Sequence, residues 1–448
     1  MPSNKDVVEA QRYNRRRLVT AFMSGTPGGR ELEPRGFVYP LVIGVVLTAV
    51  IAVVGVVMAK FAPTLPEGWE DNKLSVDTDT GARYFTMRGT LYPVSNITSA
   101  RLMSEPGAFQ PVRVGSAVLE GKPRGREIGI PGAPDDIPPV EQLRGDTWIS
   151  CAGADERDQT WVAASAEGLS ATGMAVVANG SQRYLIVGGM KYQINDGDVY
   201  RRLFLDSQHA EHEVSAAWLN LFEHGSDLKK IQLADDGRPV AGFPKRLVGL
   251  HVGSLVQITD QINSADQFFV VVDDQKMSRL SDFQAQVLEL NLDSAAKPVE
   301  ASSNEIVVGS IEIDENHPAL PKDWPAQLPA EEVDLANMPC ATLSVSDQVP
   351  TVSLAELPPG QVAENTLPVA VSGGYGALIR ASSGSIGAVR LVTDSGQAFS
   401  LGDDPRDTLG RFGYSEADVV VVPGAWVSLV PAAEVELTNA AARAAAES

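Results

Sequence analysis

From Val38 to Ala59 the chain reads VYPLVIGVVLTAVIAVVGVVMA, an apolar run without a charged side chain. At the α-helical rise of about 1.5 Å per residue it reaches about 33 Å, enough to cross a bilayer's hydrocarbon core. A buried core helix would interrupt the run with polar residues on one face, and a signal peptide would have a shorter apolar stretch with a cleavage site soon after. The pattern therefore predicts one membrane-spanning helix, Val38 to Ala59.

Beyond the span the pattern changes to short alternating runs bounded by turn residues, and these recur. RYFTMRGTLYPVSNI at 83–97 and RYLIVGGMKYQINDG at 183–197 share a β-rich run, a turn glycine at Gly89 or Gly189, and a tyrosine three positions later, Tyr92 or Tyr192. Two weaker copies follow. FFVVVDDQKMSRLSDFQ at 268–284 has Asp273-Asp274 in place of the glycine turn, and AVRLVTDSGQAFSLG at 388–402 turns at Gly396. Alternation about a turn predicts two strands in each copy. A helix-like stretch comes next in each: Thr98 to Ser104, Val199 to Leu205, Asp282 to Leu290 and Pro405 to Phe412. Two strands and a helix bury little apolar surface alone, so the copies should lean on one another or on a larger domain.

That larger domain has two candidate halves. The first holds β-like runs at Val112 to Leu119, Thr147 to Cys151 and Trp161 to Ala164, with a turn-rich stretch at 129–139; the second holds Asn304 to Ile313 and Thr342 to Val345. Prolines fix φ and remove a donor, so 318–329 and 350–359 read as extended connectors. Leu437 to Glu447 reads as a short helix or a frayed tail. The expected fold class is α+β, mainly β outside the membrane, with a discontinuous central β domain and four small ββα-like repeats. The expected divisions are a tail over 1–36, the span over 37–60 and repeat 1 over 61–105. The central domain's first half follows over 106–178, then repeat 2 over 179–235, repeat 3 over 236–300, the second half over 301–372, repeat 4 over 373–430 and a tail over 431–448.

Charge orients the span. Arg12, Arg15, Arg16, Arg17, Arg30 and Arg35 precede it, whereas Lys60, Glu67, Glu70 and Asp71 follow it. Cytoplasmic flanks carry the excess of Lys and Arg, which puts the N-terminal tail inside, its arginines near anionic lipid head groups, and the long C-terminal part outside. The chain's formal charge is −21, and its first 36 residues hold seven basic and four acidic side chains, so the remainder is near −24. Such an exterior excludes nucleic acid as a natural partner. The two cysteines, Cys151 and Cys340, lie in that exterior. In an oxidising compartment they are most simply one disulfide, two buried free thiols being the alternative.

Familiar catalytic strings are missing. HAEHEVSAAWLNLFEH, from His209 to His224, spaces His209 and His212 by three where a zinc protease of the H-E-x-x-H type needs four, and it reads as a solvated helix face with Trp218, Leu221 and Phe222 buried. The stretch from Gly115 to Lys122 lacks phosphate-loop spacing. The glycine-rich 373–387 lacks the third glycine of a dinucleotide fingerprint, reading as a turn or close backbone packing, and Gly384-Ser385-Ile386-Gly387 is one residue short of a nucleophile elbow. No metal, cofactor or triad site is visible, so the residues point to a membrane-anchored binding or assembly protein.

A family resemblance is carried by EAQRYNRRRLVTAFMSG before the span, GTLYPVSNITSARLM in repeat 1, GREIGIPGAP and TWISCAG around the first cysteine, YLIVGGMKYQI in repeat 2, and LVTDSGQAFSL with LGRFGY in repeat 4. Taken together these resemble EccB, the single-span membrane subunit of the actinobacterial type VII (ESX) secretion system. The resemblance implies an inner-membrane protein whose periplasmic part is an elongated, quasi-twofold array of a central β domain and four repeats. It implies a Cys151–Cys340 disulfide in the core, self-association outside the membrane, and assembly with the EccC-type ATPase and the EccD-type and EccE-type membrane subunits. The repeats resemble cell-wall-binding modules, which implies peptidoglycan as a further partner. ATP hydrolysis has been attributed to the family, so ATP is the one cofactor the resemblance implies. The chain departs from the family's pattern at the Asp273-Asp274 turn and after Leu429-Val430-Pro431.

Overall fold

The computed structural model describes residues 3–25, 38–60, 65, 67–153, 157–163, 168–205, 209–259, 266–291, 298–358, 360, 367–382 and 387–447. Arg30, Arg35, Ala164 and residues 383–386, on which some of the expectations above fall, lie outside these. The chain divides into two compact units, Met1–Leu65 and Pro66–Ser448.

The first unit holds two helices. Helix α1, Asn4–Ser24, begins at a capping box in which Ser3 and Asp6 satisfy each other's backbone N–H groups, and ends at Gly25 with φ of 62°. Helix α2, Val38–Lys60, contains a segment, Val38–Val57, long and apolar enough to cross a membrane.

The second unit carries five sheets among its described residues. Along the chain, repeat 1 supplies β1 (Leu74–Asp77), β2 (Arg83–Met87) and β3 (Thr90–Pro93), then α3 (Ile97–Met103), β4 (Pro111–Val114) and α4 (Ser116–Leu119). The central sheet receives β5 (Thr147–Cys151), β6 (Gln159–Val162) and β7 (Ser170–Ala171). Repeat 2 supplies β8 (Met174–Asn179), β9 (Gln182–Val187), β10 (Met190–Gln193), α5 (Gly197–Tyr200), β11 (Glu211–Glu213), α6 (Ala216–Leu219) and β12 (Glu223–His224). Repeat 3 follows with β13 (Leu255–Thr259), β14 (Asp266–Asp273), β15 (Lys276–Leu280), α7 (Asp282–Glu289), β16 (Val299–Ala301), α8 (Ser303–Val308) and β17 (Glu312–Asp314). The chain returns to the central sheet with β18 (Met338–Ser346), β19 (Val349–Leu357) and β20 (Val369–Val371). Repeat 4 closes with β21 (Ala377–Ala381), β22 (Val389–Val392), β23 (Ala398–Ser400), α9 (Pro405–Phe412), β24 (Val420–Val422), α10 (Gly424–Val427), β25 (Ala432–Glu436) and α11 (Asn439–Glu447).

Repeats 2, 3 and 4 share one strand order: a three-stranded antiparallel meander, with a fourth strand parallel to the first at one edge and a fifth parallel to the third at the other. In repeat 1 the fifth strand is reduced to the parallel bridges Leu91↔Arg124 and Val94↔Ile128. Each unit is therefore larger than the two strands and a helix expected. The sequence pattern missed the outer strands because they are two to five residues long and pair with strands far away in sequence. The helix after each meander starts at a side-chain cap, Asn96, Asp196, Ser281 or Asp404, that accepts from first-turn N–H groups.

Several local expectations are corrected. Pro111–Val114 and Val299–Asp314 join the sheets of repeats 1 and 3 rather than the central sheet, whose strands come from 147–171 and 338–371. Asn304 to Ile313 is not one β run: Ser302 and Glu305 form a capping box that starts α8. The presumed connector at 350–359 is largely strand β19. Pro350 fits there because its partner Val345 donates its N–H to Asp146 instead, so the Val345–Pro350 pair is not a hydrogen-bonded one and the proline's missing donor faces the outer edge. Of the two readings of the C-terminal stretch, a short helix or a frayed tail, the helix holds: α11 is fastened to α3 by Asn439 Nδ2 donating to Leu102 O at 2.6 Å.

Strand period sets how the sheets stack. In repeat 2, Ala175, Val177 and Ile186 point into a core shared with the central sheet, and Met174, Val176 and Leu185 point into a core shared with repeat 3. Repeat 4 does the same, Ala377 and Ile379 facing the central core and Leu378 and Leu391 facing repeat 1. Sheets 2 and 4 are thus apolar on both faces, which is why MAVVAN and ALIRA lack clean alternation.

Candidate functional site

The chemistry-bearing stretches are dispersed. Among the described residues no group of three or more His, Cys, Asp or Glu side chains is placed to hold a metal ion. His209 to His224 is not a helix face: it is strand β11, the short α6 and strand β12. Its polar alternation at Glu211–Glu213 matches a strand, and Ser215 starts the helix only afterwards by accepting from Trp218 N. His209 Nδ1 lies 2.6 Å from Glu332 Oε2, and His212 is buried against Val333 O, both on the segment returning from repeat 3. Gly376 lies so close to Val392 O that a Cβ would stand 2.4 Å from it.

What the fold does bring together is a junction. Helices α6 and α10 occupy the same position in repeats 2 and 4, and each drives a tryptophan, Trp218 or Trp426, into one core with Trp148 of the central sheet, all fully buried. Trp148 and Trp426 meet edge to face at 6.5 Å. Trp218 Nε1 donates to Ser150 O at 2.9 Å and Trp148 Nε1 to Gly145 O at 2.9 Å, while Trp426 Nε1 is buried with no hydrogen-bond partner among the described residues. Trp426 escaped the sequence analysis, although AAWL and GAWV at equal places in two copies were a readable signal.

The repeat turns fall into two kinds. Gly89 and Gly396 have φ of 72° and 71°; at 188–189 it is Gly188 that has positive φ, 59°. At Asp274-Gln275 the left-handed residue is Gln275, φ 49°. A Cβ on Gly189 would stand 2.7 Å from Val352 O of β19, and one on Gly396 2.6 Å from Val369 O of β20; at Gly89 no atom of the described residues lies within 4 Å. The turns of repeats 2 and 4 therefore abut the central sheet, which leaves no room for a side chain. In repeat 3 the place of Gly189 is taken by Gln275, and the turn packs on the 238–242 segment, where Ala241 N donates to Asp274 Oδ1 at 2.9 Å and Arg238 pairs with Asp273 and Asp274. Gly396→Ala is expected to destabilise by about 3 kcal/mol, from left-handed strain plus the contact with Val369, against about 1 kcal/mol for Gly89→Ala, from strain alone. Chemical denaturation of both variants checks the difference.

Around the junction, a cleft of about 330 Å³ is lined by Met190, Phe222, Pro350, Val352 and Pro423 among others. Lys191 beneath it donates to Leu219 O at 3.0 Å and Asn220 Oδ1 at 2.9 Å, closing the C-terminus of α6, and burial pushes its amine pKa down. Cys151 and Cys340 stand opposite each other on neighbouring strands β5 and β18 and form a disulfide that closes 189 residues.

Burial also pushes the His212 imidazole below its usual 6.5, against the opposing pull of Val333 O, Glu332, Asp334 and Glu356. Below that pH the unfolded chain binds more protons than the native one. Stability present above pH 6.5 is lost as pH falls through the depressed native value. The fall in melting temperature on acidification should therefore be shallower in His212→Gln than in the parent, and parallel curves would refute the assignment.

The family model described as "Type VII secretion system ESX-1, transport TM domain B" matches residues 1–448. The chain is 31% identical over 275 residues to the ESX-2 secretion system ATPase EccB2 of Mycobacterium tuberculosis, covering 58% of this chain and 53% of that one. It thus spans about half the length of that relative. It is 26% identical over 412 residues to the ESX-3 secretion system ATPase EccB3 of the same organism, covering 82% and 75%. Among solved structures it is similar to a chain of an intact ESX-5 inner membrane complex, with a TM-score of 0.64 at 22% identity over 99% of this chain and 95% of that chain. It is also similar to the EccB3 dimer from the ESX-3 core complex, with a TM-score of 0.63 at 20% identity over 83% and 99%.

Proposed function

The chain belongs to the type VII secretion system EccB family, and from that premise we propose that it is a structural subunit of an ESX secretion complex, steadying the pore assembly from outside the inner membrane. In this reading α2 anchors the chain, α1 and the basic tail lie in the cytoplasm, and the sheet-rich unit is periplasmic, where copies self-associate. EccC-type, EccD-type and EccE-type subunits are its partners in the membrane. The single observation that supports this reading most is the family match over 1–448, which takes in both the anchor and the sheet-rich unit.

In mild detergent the full chain is expected to migrate in a large assembly from native membranes, and deletion of residues 1–36 to release it. Gly44→Leu and Gly55→Leu should weaken incorporation, since small residues let transmembrane helices approach closely. Migration as a lone monomer would overturn the reading. The named relatives are called ATPases, and that second reading is tested by ATP turnover of the purified full chain with carboxylate substitutions that leave folding intact; turnover lost on substitution would favour it, and turnover that tracks contamination instead of substitution would end it.

A further inference from the structure

Repeats 2 and 4 bury their second short helices against the central sheet, α6 through Trp218 and α10 through Trp426. Repeat 3 has the equivalent helix, α8, but no described sheet packed outside it. Val307 on α8 is 77% exposed, and so is Val248, which follows the turn at 245–247. The two segments are neighbours: Phe243, Leu247 and Ile306 share one local cluster, a Cβ on Gly309 would stand 2.7 Å from Pro244 Cγ, and Arg246 reaches Glu305 at 3.8 Å. Lys245 and the largely exposed Arg246 put two cations at the rim of this patch, in a chain of formal charge −21.

A surface of opposite character lies on the segment that returns to the central sheet. Leu335 is 70% exposed, with exposed Glu331 and Asp334 on the same short segment. Glu356 stands beside them, accepting Asp334 N at 2.9 Å. An apolar centre rimmed by cations on one element and an apolar centre rimmed by carboxylates on another are complementary in charge as well as in polarity.

We propose that the Val248–Val307 face of repeat 3 docks on the Leu335 segment of a second copy of this chain, with Lys245 and Arg246 against Glu331 and Asp334. This rests on the self-association put forward above and names one surface for it. Because the two patches differ, Val307 of one copy meets Leu335 of the other, and the pairing either occurs twice about a twofold axis or repeats from copy to copy into a ring or chain.

The test uses the full chain in membranes, the native cysteines being paired with each other. Val307→Cys and Leu335→Cys chains carrying different tags are coexpressed and exposed to a mild oxidant. A disulfide between differently tagged chains is expected only when both variants are present. Reversing the rim with Lys245→Glu and Arg246→Glu should cut its yield about tenfold or more, as like charges then face one another. Adding Glu331→Lys and Asp334→Lys to the partner should restore it. Equal cross-linking with either variant alone would overturn the Val307–Leu335 pairing. A normal large assembly without the mixed cross-link would overturn this contact and leave the proposed function standing, whereas a lone monomer would overturn both.

Discussion

Removal of the Cys151–Cys340 bridge is expected to lower the melting temperature of the sheet-rich unit by about 6 °C. The bridge closes 189 residues, for which the chain-entropy estimate is about 5 kcal/mol. Spread over the unfolding entropy of a unit of this size, that is about 6 °C. The double variant Cys151→Ala/Cys340→Ala is the cleaner probe, because both side chains are fully buried among Ile149, Ala355 and Leu357 and a serine would bury an unpaired hydroxyl. Differential scanning calorimetry of parent and variant under oxidising conditions measures the effect, and coincident melting curves would show that the bridge contributes nothing. The loop it closes contains repeats 2 and 3 entire. Its loss should therefore make the return of β18 to β5 the step most sensitive to denaturant.

Replacing Trp218 or Trp426 with alanine is expected to cost about 3–5 kcal/mol each, since both are large, fully buried side chains in one core. The phenylalanine variants should separate the two. Trp218→Phe removes the donor to Ser150 O, at about 1 kcal/mol. Trp426→Phe removes an indole N–H that has no partner among the described residues, so its cost should be confined to the smaller ring. Urea unfolding midpoints read this difference directly, and equal costs for the two would contradict the hydrogen-bond assignment. As these residues fasten repeats 2 and 4 to the central sheet, the alanine variants should also loosen how those repeats are held, visible as faster amide exchange in β8 and β21.

Much of the plan was legible in the chain. The apolar run from Val38 to Ala59 gives a helix because nothing in it is polar enough to face water. The turn at Arg88-Gly89 gives a hairpin because two residues of positive φ match the strand twist. Asn96, Asp196, Ser281 and Asp404 give helix starts because each offers an oxygen to first-turn N–H groups. These are local causes, acting within a few residues. What sequence reading misplaced was set by partners far away. Glu211–Glu213 became a strand by lying parallel to Val176–Ala178, and Val349–Leu357 became one by pairing with β18.

The sequence by itself determined the anchor, the central hairpin of each repeat and the helix that follows it, since these depend on period and turn chemistry close at hand. Only the tertiary structure decided which repeats touch the central sheet. Repeats 2 and 4 are buried on both faces, need glycine where Val352 O and Val369 O press on their turns, and insert Trp218 and Trp426 beside Trp148. Repeat 3 keeps Asp273-Asp274 at its turn, where Arg238 pairs with both, and Val307 exposed on α8, outside which no described sheet lies. The physical reason is range: turns and caps close within a few residues, whereas burial of a face is decided by whatever sheet arrives from elsewhere in the chain.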